Sequence, residues 1–250
     1  MTSFRKKNYG KINRGKTILF TWDNREYSGY EGDSLASALL ANDIRIVGRS
    51  FKYHRPRGIM SCGVEESGAL VTVGSGSKRD PNIRATTQEL YSGLNASGQN
   101  AFPSVNFDFG GINNYLGRFF AAGFYYKTFM GLPPFEWGKG TGIWMVFEKI
   151  IRKAAGMGKA SREPDPDSYE HANDFCDVLV VGSGPAGVAA AQEAANQNLN
   201  VILIEQDSLL GGNKLAEKEF DPSLLHKQLE SNNIRIKSRT TAFGDYDNTV

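Results

Sequence analysis

The chain has 250 residues, and its 29 basic and 27 acidic side chains give a formal net charge of +2, which does not support a nucleic-acid-binding face. A length of this order predicts one large or two modest domains. With only Cys62 and Cys176, the sequence excludes a disulfide framework and a four-thiolate metal site, and we expect reduced thiols in a cytoplasmic protein. The longest apolar run, 119–126, is shorter than the roughly 20 residues of a membrane span, so we expect no membrane contact.

Residues 1–16 carry six basic and no acidic side chains, which predicts a basic, solvated N-terminal arm. Two strand-prone runs then flank the pair Asp23-Asn24, and this pattern predicts a β-hairpin over 17–30.

A helix is expected after the hairpin, with Asp33 as its cap, leucines at helical spacing and an end at Asn42-Asp43. Short strands are expected at 44–47 and 69–73. Hairpin, helix and further strands are the element order of a β-grasp domain, the fold of plant-type ferredoxins, which we assign to residues 17–100 as an analogy of fold.

The ferredoxin analogy makes a prediction about metal binding. A plant-type cluster needs C-x4-C-x2-C in the loop after the helix, and a fourth cysteine further on. The corresponding loop, 50–64, contains Cys62 alone, and His54 cannot complete a site with one thiol. The sequence therefore predicts a ferredoxin-like domain without a cluster and without any other metal.

Two further segments precede the next domain. Residues 102–147 hold 14 of the 28 aromatic residues, broken by glycines and prolines, so 101–160 is either a packing layer over the core or a subunit interface. Residues 161–174 contain five acids and two prolines, which indicates a linker.

The strongest motif follows the linker. An apolar strand over 176–181 leads into a turn of the form G-x-G-x-x-G, then an alanine-rich helix over 188–197 and a second apolar strand over 200–204. Together they predict a Rossmann-type dinucleotide-binding domain over 175–250. The motif residues, all assigned to cofactor binding, are Gly182, Ser183, Gly184, Pro185, Ala186 and Gly187.

Glu205 ends the second strand, 18 residues after Gly187, where a carboxylate can accept hydrogen bonds from ribose hydroxyls. An acid there disfavours NADP, whereas these residues leave NAD and FAD both open. Gln206 and Gly212 are expected at the same site. We expect Glu205→Ala to weaken dinucleotide binding and to change folding much less.

A further helix from Asp221-Pro222 to about Ser231 and a third strand over 233–237 are predicted next. About 75 residues after the linker supply only the first half of a dinucleotide-binding sheet, so we expect an N-terminal piece of a longer protein.

The order of three signatures resembles one family. The stretch SFKYHRPRGI at 50–59, the stretch GFYYKTF at 123–129 and the G-x-G-P-A-G turn are together similar to the N-terminal part of the alpha subunits of heterotetrameric sarcosine oxidases. Related opine and glycine dehydrogenases keep cysteines in the first domain, so the resemblance favours the sarcosine branch.

The resemblance implies an oxidoreductase that demethylates sarcosine to glycine and forms hydrogen peroxide. It implies NAD in this chain, FAD in a partner beta subunit, FMN at the interface between the two, and further small subunits. No catalytic residue is assigned here, since His54, His171 and His226 are isolated in the sequence. Two alternatives remain: an electron-transfer or reductase module of another amine or opine dehydrogenase, and a non-catalytic scaffold.

Overall fold

The computed structural model describes residues 4–7, 9–117, 148–149 and 158–246. They form two compact units, an N-terminal one that ends at Pro166 and a C-terminal one that begins at Asp167, residues 6–11 being grouped with the second. That division falls inside the stretch predicted as a linker.

The N-terminal unit begins with a β-hairpin. Strands β1 (Asn13–Trp22) and β2 (Arg25–Glu31) pair antiparallel around Asp23 and Asn24. The φ angles of these two residues are +45° and +63°, the left-handed values that a two-residue hairpin turn of this twist requires. The predicted hairpin is confirmed, although β1 starts four residues before position 17.

Helix α1 (Leu35–Ala41) follows, and its cap differs from the prediction. The N-cap is Ser34, whose hydroxyl accepts a hydrogen bond from the Ser37 N–H. Asp33 is instead buried: its carboxylate accepts hydrogen bonds from the Arg5 guanidinium and from the Tyr30 N–H. The arm predicted as solvated is therefore attached to this unit at Arg5.

Five further strands and one short α-helix follow in the described part of this unit, besides three 3-10 turns: β3 (Gly48–Arg49), β4 (Pro56–Arg57), β5 (Leu70–Val73), β6 (Asp80–Arg84), β7 (Asn95–Gly98) and α2 (Ile112–Tyr115). The main sheet has the order β2-β1-β7-β5-β6, and β7 runs parallel to β1 while the other pairs are antiparallel. The strand predicted at 44–47 is wrong in position, because β3 begins at Gly48.

The core of the N-terminal unit lies between α1 and the sheet. Phe20 from β1, Leu35 and Leu39 from α1 and Val71 from β5 are all buried in one cluster. One helix packed on a mixed sheet with a central parallel pair is the predicted β-grasp arrangement, and the ferredoxin-like fold class is confirmed.

The segment after β7 is held by residues of the 49–59 region. His54 Nδ1 lies 2.6 Å from Asp108 Oδ2, and the Arg49 guanidinium donates hydrogen bonds to the Val105 and Asn106 carbonyls. His54 is thus a structural side chain with a carboxylate partner. Most of the aromatic-rich segment, including the stretch at 123–129, lies outside the described residues.

The C-terminal unit alternates strands and helices: β8 (Val178–Val181), α3 (Pro185–Asn196), β9 (Val201–Ile204), α4 (Pro222–Ser231) and β10 (Ile234–Lys237). Its three parallel strands have the order β10-β9-β8, and all four residues of the central strand β9 are buried. Asp221 caps α4, with Pro222 in the first turn, as predicted. This is the start of a Rossmann-type sheet, and its carboxyl edge carries the glycine motif.

Candidate dinucleotide-binding site

The turn between β8 and α3 depends on glycine at its first position. Gly182 has a φ of +93°, a conformation that side chains rarely adopt, and its N–H donates a hydrogen bond to the Ile204 carbonyl at 2.8 Å. This bond joins the turn to the end of β9. The turn is therefore fixed to the carboxyl edge of the sheet.

Gly187 allows the first turn of α3 to pack on this loop. A Cβ at position 187 would lie 2.0 Å from the Gly182 carbonyl oxygen, far inside van der Waals contact. The close approach of helix and turn therefore requires glycine, as the fingerprint predicts.

Gly184 has a different environment. It is the N-cap of α3, and among the described residues no atom lies within 4 Å of the place where its Cβ would be. Pro185 and Ala186 follow in the first turn of the helix, where N–H groups have no partner within the helix. The open space at Gly184 thus faces a helix N-terminus, which suits an anionic pyrophosphate.

Glu205 has more contacts than the sequence indicates. Its Oε2 accepts hydrogen bonds from the Ser183 N–H at 2.8 Å and the Ser183 hydroxyl at 2.5 Å, and its Oε1 accepts one from the Asp207 N–H at 3.1 Å. Ser183 is fully buried and Glu205 is 7% exposed. Glu205 therefore connects the glycine turn to the end of β9, and the expectation that it contributes little to folding does not fit this geometry.

A cavity of about 240 Å³ opens beside Glu205 and contains Gln206 in its wall. Residues 240–242, which follow β10, also line it and were not predicted. Because β10 is parallel to β9, both strands end at the same edge of the sheet. The strand order alone therefore indicates that the residues after β10 lie near the end of β9.

The second pair of glycines, Gly211 and Gly212, contacts the glycine turn. The Gly211 N–H donates a hydrogen bond to the Ser183 hydroxyl at 3.0 Å, and a Cβ at Gly212 would lie 3.2 Å from the Gly184 Cα. All nine residues predicted for cofactor binding therefore belong to this one edge of the sheet.

The site is acidic on the side of β9. Burial first, and then the neighbouring charge of Glu205, raise the pKa of Asp207 above its usual value. Glu205 and Asp207 thus place two acidic side chains at this end of β9.

No metal centre accompanies the site in the described part of the chain. Among those residues, no group of three or more histidine, cysteine or acidic side chains is placed to hold a metal ion. None of the described helices has the length and apolar character that crossing a membrane requires.

Each of the two units contains a segment that matches a known protein family. Residues 15–101 match the family described as 2Fe-2S iron-sulfur cluster binding domain, and residues 177–227 match FAD dependent oxidoreductase. The sarcosine oxidase subunit alpha of Rhizobium meliloti (strain 1021) is 48% identical over 259 aligned residues, which cover 100% of this chain and 26% of that protein. The sarcosine oxidase subunit alpha of Corynebacterium sp. (strain U-96) is 30% identical, covering 95% of this chain and 20% of that protein.

Among solved structures, the L-proline dehydrogenase from P. horikoshii has a TM-score of 0.48 at 20% identity, covering 94% of this chain and 36% of that one. That likeness is too loose to carry an argument. The chain spans about a fifth to a quarter of the length of these curated relatives.

Fold and family matches together define a chain in which a ferredoxin-like domain precedes a Rossmann-type segment similar to FAD dependent oxidoreductases. The chain is homologous over its whole length to sarcosine oxidase subunit alpha and corresponds to the N-terminal part of that subunit.

The two cofactors that the matched families bring differ in their fit to this chain. The open space at Gly184 and the helix N-terminus beside it suit a dinucleotide. A [2Fe–2S] cluster does not fit, because the whole sequence has two cysteines, Cys62 is exposed, and Cys176 belongs to the other unit.

Gly184→Ala tests whether the open space receives a ligand. The new methyl group meets no described atom, so the stability of the nucleotide-free protein should fall by about 1 kcal/mol or less, the usual cost of alanine at an N-cap. Dinucleotide affinity should fall by about tenfold or more, because the methyl group takes up space that the pyrophosphate needs. Calorimetric titration and thermal melting measure the two effects. Unchanged affinity would place the pyrophosphate elsewhere.

Proposed function

We propose that this chain is the dinucleotide-binding N-terminal part of an alpha subunit whose holoenzyme oxidises sarcosine to glycine and forms hydrogen peroxide. The observation that carries the proposal is the glycine turn at 182–187, held to the end of β9 by Glu205, within a chain 48% identical to a sarcosine oxidase alpha subunit. The beta subunit and the smaller subunits of a heterotetramer are the proposed partners. The two free cysteines support a cytoplasmic location.

The proposed ligand of this chain is NAD. The acidic end of β9 suits the free hydroxyls of an adenosine ribose and disfavours a 2′-phosphate. We place FAD in the beta subunit and FMN between the two subunits, as the family resemblance implies. The nicotinamide or flavin supplies the hydride chemistry, while the residues of this chain bind and orient the dinucleotide.

The bound nucleotide gives a direct test. The full-length protein that contains this chain, purified and denatured, should release NAD in about one equivalent, identified by mass spectrometry. Release of FAD from the separated alpha subunit would instead support the reductase-module alternative. A full-length protein that releases no nucleotide and binds none on titration would contradict the dinucleotide site and support the scaffold alternative.

The activity needs the assembled enzyme. Co-expression of the full-length protein with the subunits encoded beside it should give a yellow complex that consumes sarcosine and produces hydrogen peroxide. A complex that contains NAD but does not oxidise sarcosine would contradict the substrate and leave the dinucleotide site standing.

A further inference from the structure

Glu66 is a buried carboxylate in the N-terminal unit, remote in sequence from the dinucleotide site. It is 2% exposed, and its two oxygens accept four backbone hydrogen bonds. Oε2 accepts from the N–H groups of Met60 at 2.7 Å and Ser61 at 2.8 Å. Oε1 accepts from those of Gly68 and Ala69. The loop over 60–69 is therefore folded around one negative charge.

Glu66 lies at a position that corresponds to a cysteine of the cluster motif. Cluster loops of plant-type ferredoxins have the spacing C-x4-C-x2-C. Ser61, Glu66 and Ala69 have this same spacing, whereas Cys62 is one position out of register and exposed. All three residues take part in the hydrogen bonds around the carboxylate.

A fourth cluster ligand would have to come from further along the chain. The Thr86 hydroxyl donates a hydrogen bond to the Gly63 carbonyl at 2.7 Å, so Thr86 contacts the same loop from the far side of β6. Thr86 therefore lies beside the loop that contains the other three positions.

We propose that the Glu66 carboxylate takes the place of the [2Fe–2S] cluster in this domain, with Ser61, Glu66, Ala69 and Thr86 at the four ligand positions. A thiolate-bound cluster and a carboxylate are both anionic acceptors of backbone N–H groups. The substitution therefore keeps the loop folded without iron. It also leaves the domain without a redox centre, as a binding and packing element.

The loop over 60–69 also forms part of a cavity wall in the N-terminal unit. Met60 and Gly68, both hydrogen-bonded to Glu66, line a cavity of about 430 Å³ whose wall also includes Lys52 and Arg57. By accepting hydrogen bonds from Met60 and Gly68, Glu66 therefore fixes one wall of this cationic cavity.

The pKa of Glu66 is shifted by its surroundings. Burial raises its pKa, but the N–H groups of Ser61, Gly68, Met60 and Ala69 lower it more, so the pKa lies below the ordinary value. A folded-state pKa below the unfolded one adds stability that is present above the unfolded pKa and is lost as the pH falls through the folded pKa. The contribution of Glu66 is thus complete at neutral pH and disappears in acid.

The first experiment compares Glu66→Gln with Glu65→Gln in the full-length protein. Glu65 is the exposed neighbour of Glu66 in the same loop, so its replacement is a matched control. Glu66→Gln should lower the Tm of this unit by about 8–16 °C at neutral pH, because a buried acceptor of four N–H groups loses its charge. The difference from wild type should narrow as the pH falls below about 4. Equal Tm values for the two variants would overturn the proposal.

The second experiment restores the thiolates and does not depend on the stability of the first variant. The full-length protein with Ser61→Cys, Glu66→Cys, Ala69→Cys and Thr86→Cys should bind two irons and two sulfides on anaerobic reconstitution, and should gain a visible charge-transfer spectrum. Wild type should bind none. The matched triple variant that keeps Glu66 should bind less than about a tenth as much, since each iron needs two protein ligands.

Two results would contradict the assignment of positions. One is a quadruple-cysteine protein that takes up no iron and sulfide, whether folded or unfolded. The other is a triple variant that assembles the cluster as well as the quadruple one, because Glu66 would then lie outside the ligand set.

Discussion

Gly187→Ala is expected to lower the stability of the C-terminal unit by about 3 kcal/mol or more, the upper range for overpacking at a tightly packed position. The reason is the 2.0 Å separation between the new Cβ and the Gly182 carbonyl oxygen, because relief requires movement of backbone atoms at both places. For a unit of this size, the Tm of the full-length protein's corresponding transition should fall by about 12 °C or more.

The matched control is Gly184→Ala in the same motif. Both variants add one methyl group to α3 or its cap, but the methyl group at 184 meets no described atom. Thermal melting without nucleotide should therefore give a much lower Tm for Gly187→Ala than for Gly184→Ala. The effect of Gly184→Ala should appear in the binding measurement instead. Similar Tm values for the two variants would mean that α3 does not pack against the turn as the structure shows.

The glycine motif was predictable because its constraints are local. The φ of +93° at Gly182 and the contact across five residues at Gly187 follow from one strand, one turn and one helix. The hairpin at Asp23-Asn24 and the helix start at Asp221-Pro222 are local in the same sense, and they were also predicted. Patterns over a few residues are sufficient where neighbours in the sequence fix a turn, a helix cap or a glycine conformation.

The polar contacts within the core were not predictable in that way. Asp33 satisfies the criteria of a helix cap, but the Arg5 guanidinium, 28 residues away, binds its carboxylate and Ser34 caps the helix. His54 and Asp108 are 54 residues apart. Which partner a buried charge finds depends on the tertiary fold, and the sequence pattern contains no signal for it.

Glu66 and Glu205 illustrate one consequence of this difference. Both are buried carboxylates that accept backbone N–H groups from a turn, and the sequence pattern indicates this structural contact for neither of them. In each unit, a loop that other proteins fold around a cofactor is fixed by an acid of the protein itself. In the N-terminal unit the acid takes the cluster's place, as we propose, whereas in the C-terminal unit it leaves the helix N-terminus open to a ligand.

Glu205→Ala is expected to affect both binding and stability, because Glu205 is buried and accepts hydrogen bonds from Ser183. Glu205→Ala should weaken dinucleotide binding by about 1.5–3 kcal/mol if the carboxylate also accepts a ribose hydroxyl, a tenfold to more than hundredfold loss. It should in addition destabilise the unit by about 2–3 kcal/mol, because the fully buried Ser183 N–H and hydroxyl lose their acceptor.

Two variants separate these effects. Glu193→Ala removes an exposed acid from α3 and should be almost silent in both measurements. Ser183→Ala removes the hydroxyl that donates to Glu205 and accepts from the Gly211 N–H. Because the bond to Glu205 is lost in both single variants, the stability losses of Ser183→Ala and Glu205→Ala should be less than additive in the double variant. Chemical denaturation of the nucleotide-free full-length protein gives the coupling.

The binding measurement must be made where each variant is folded. Calorimetric titration at low temperature with NAD then reports affinity alone. A Glu205→Ala protein with lowered stability and unchanged affinity would show that Glu205 only positions the glycine turn. A protein with lowered affinity and unchanged stability would contradict the hydrogen bonds to Ser183. This geometry predicts that Glu205→Ala lowers both the affinity for the dinucleotide and the stability of the unit.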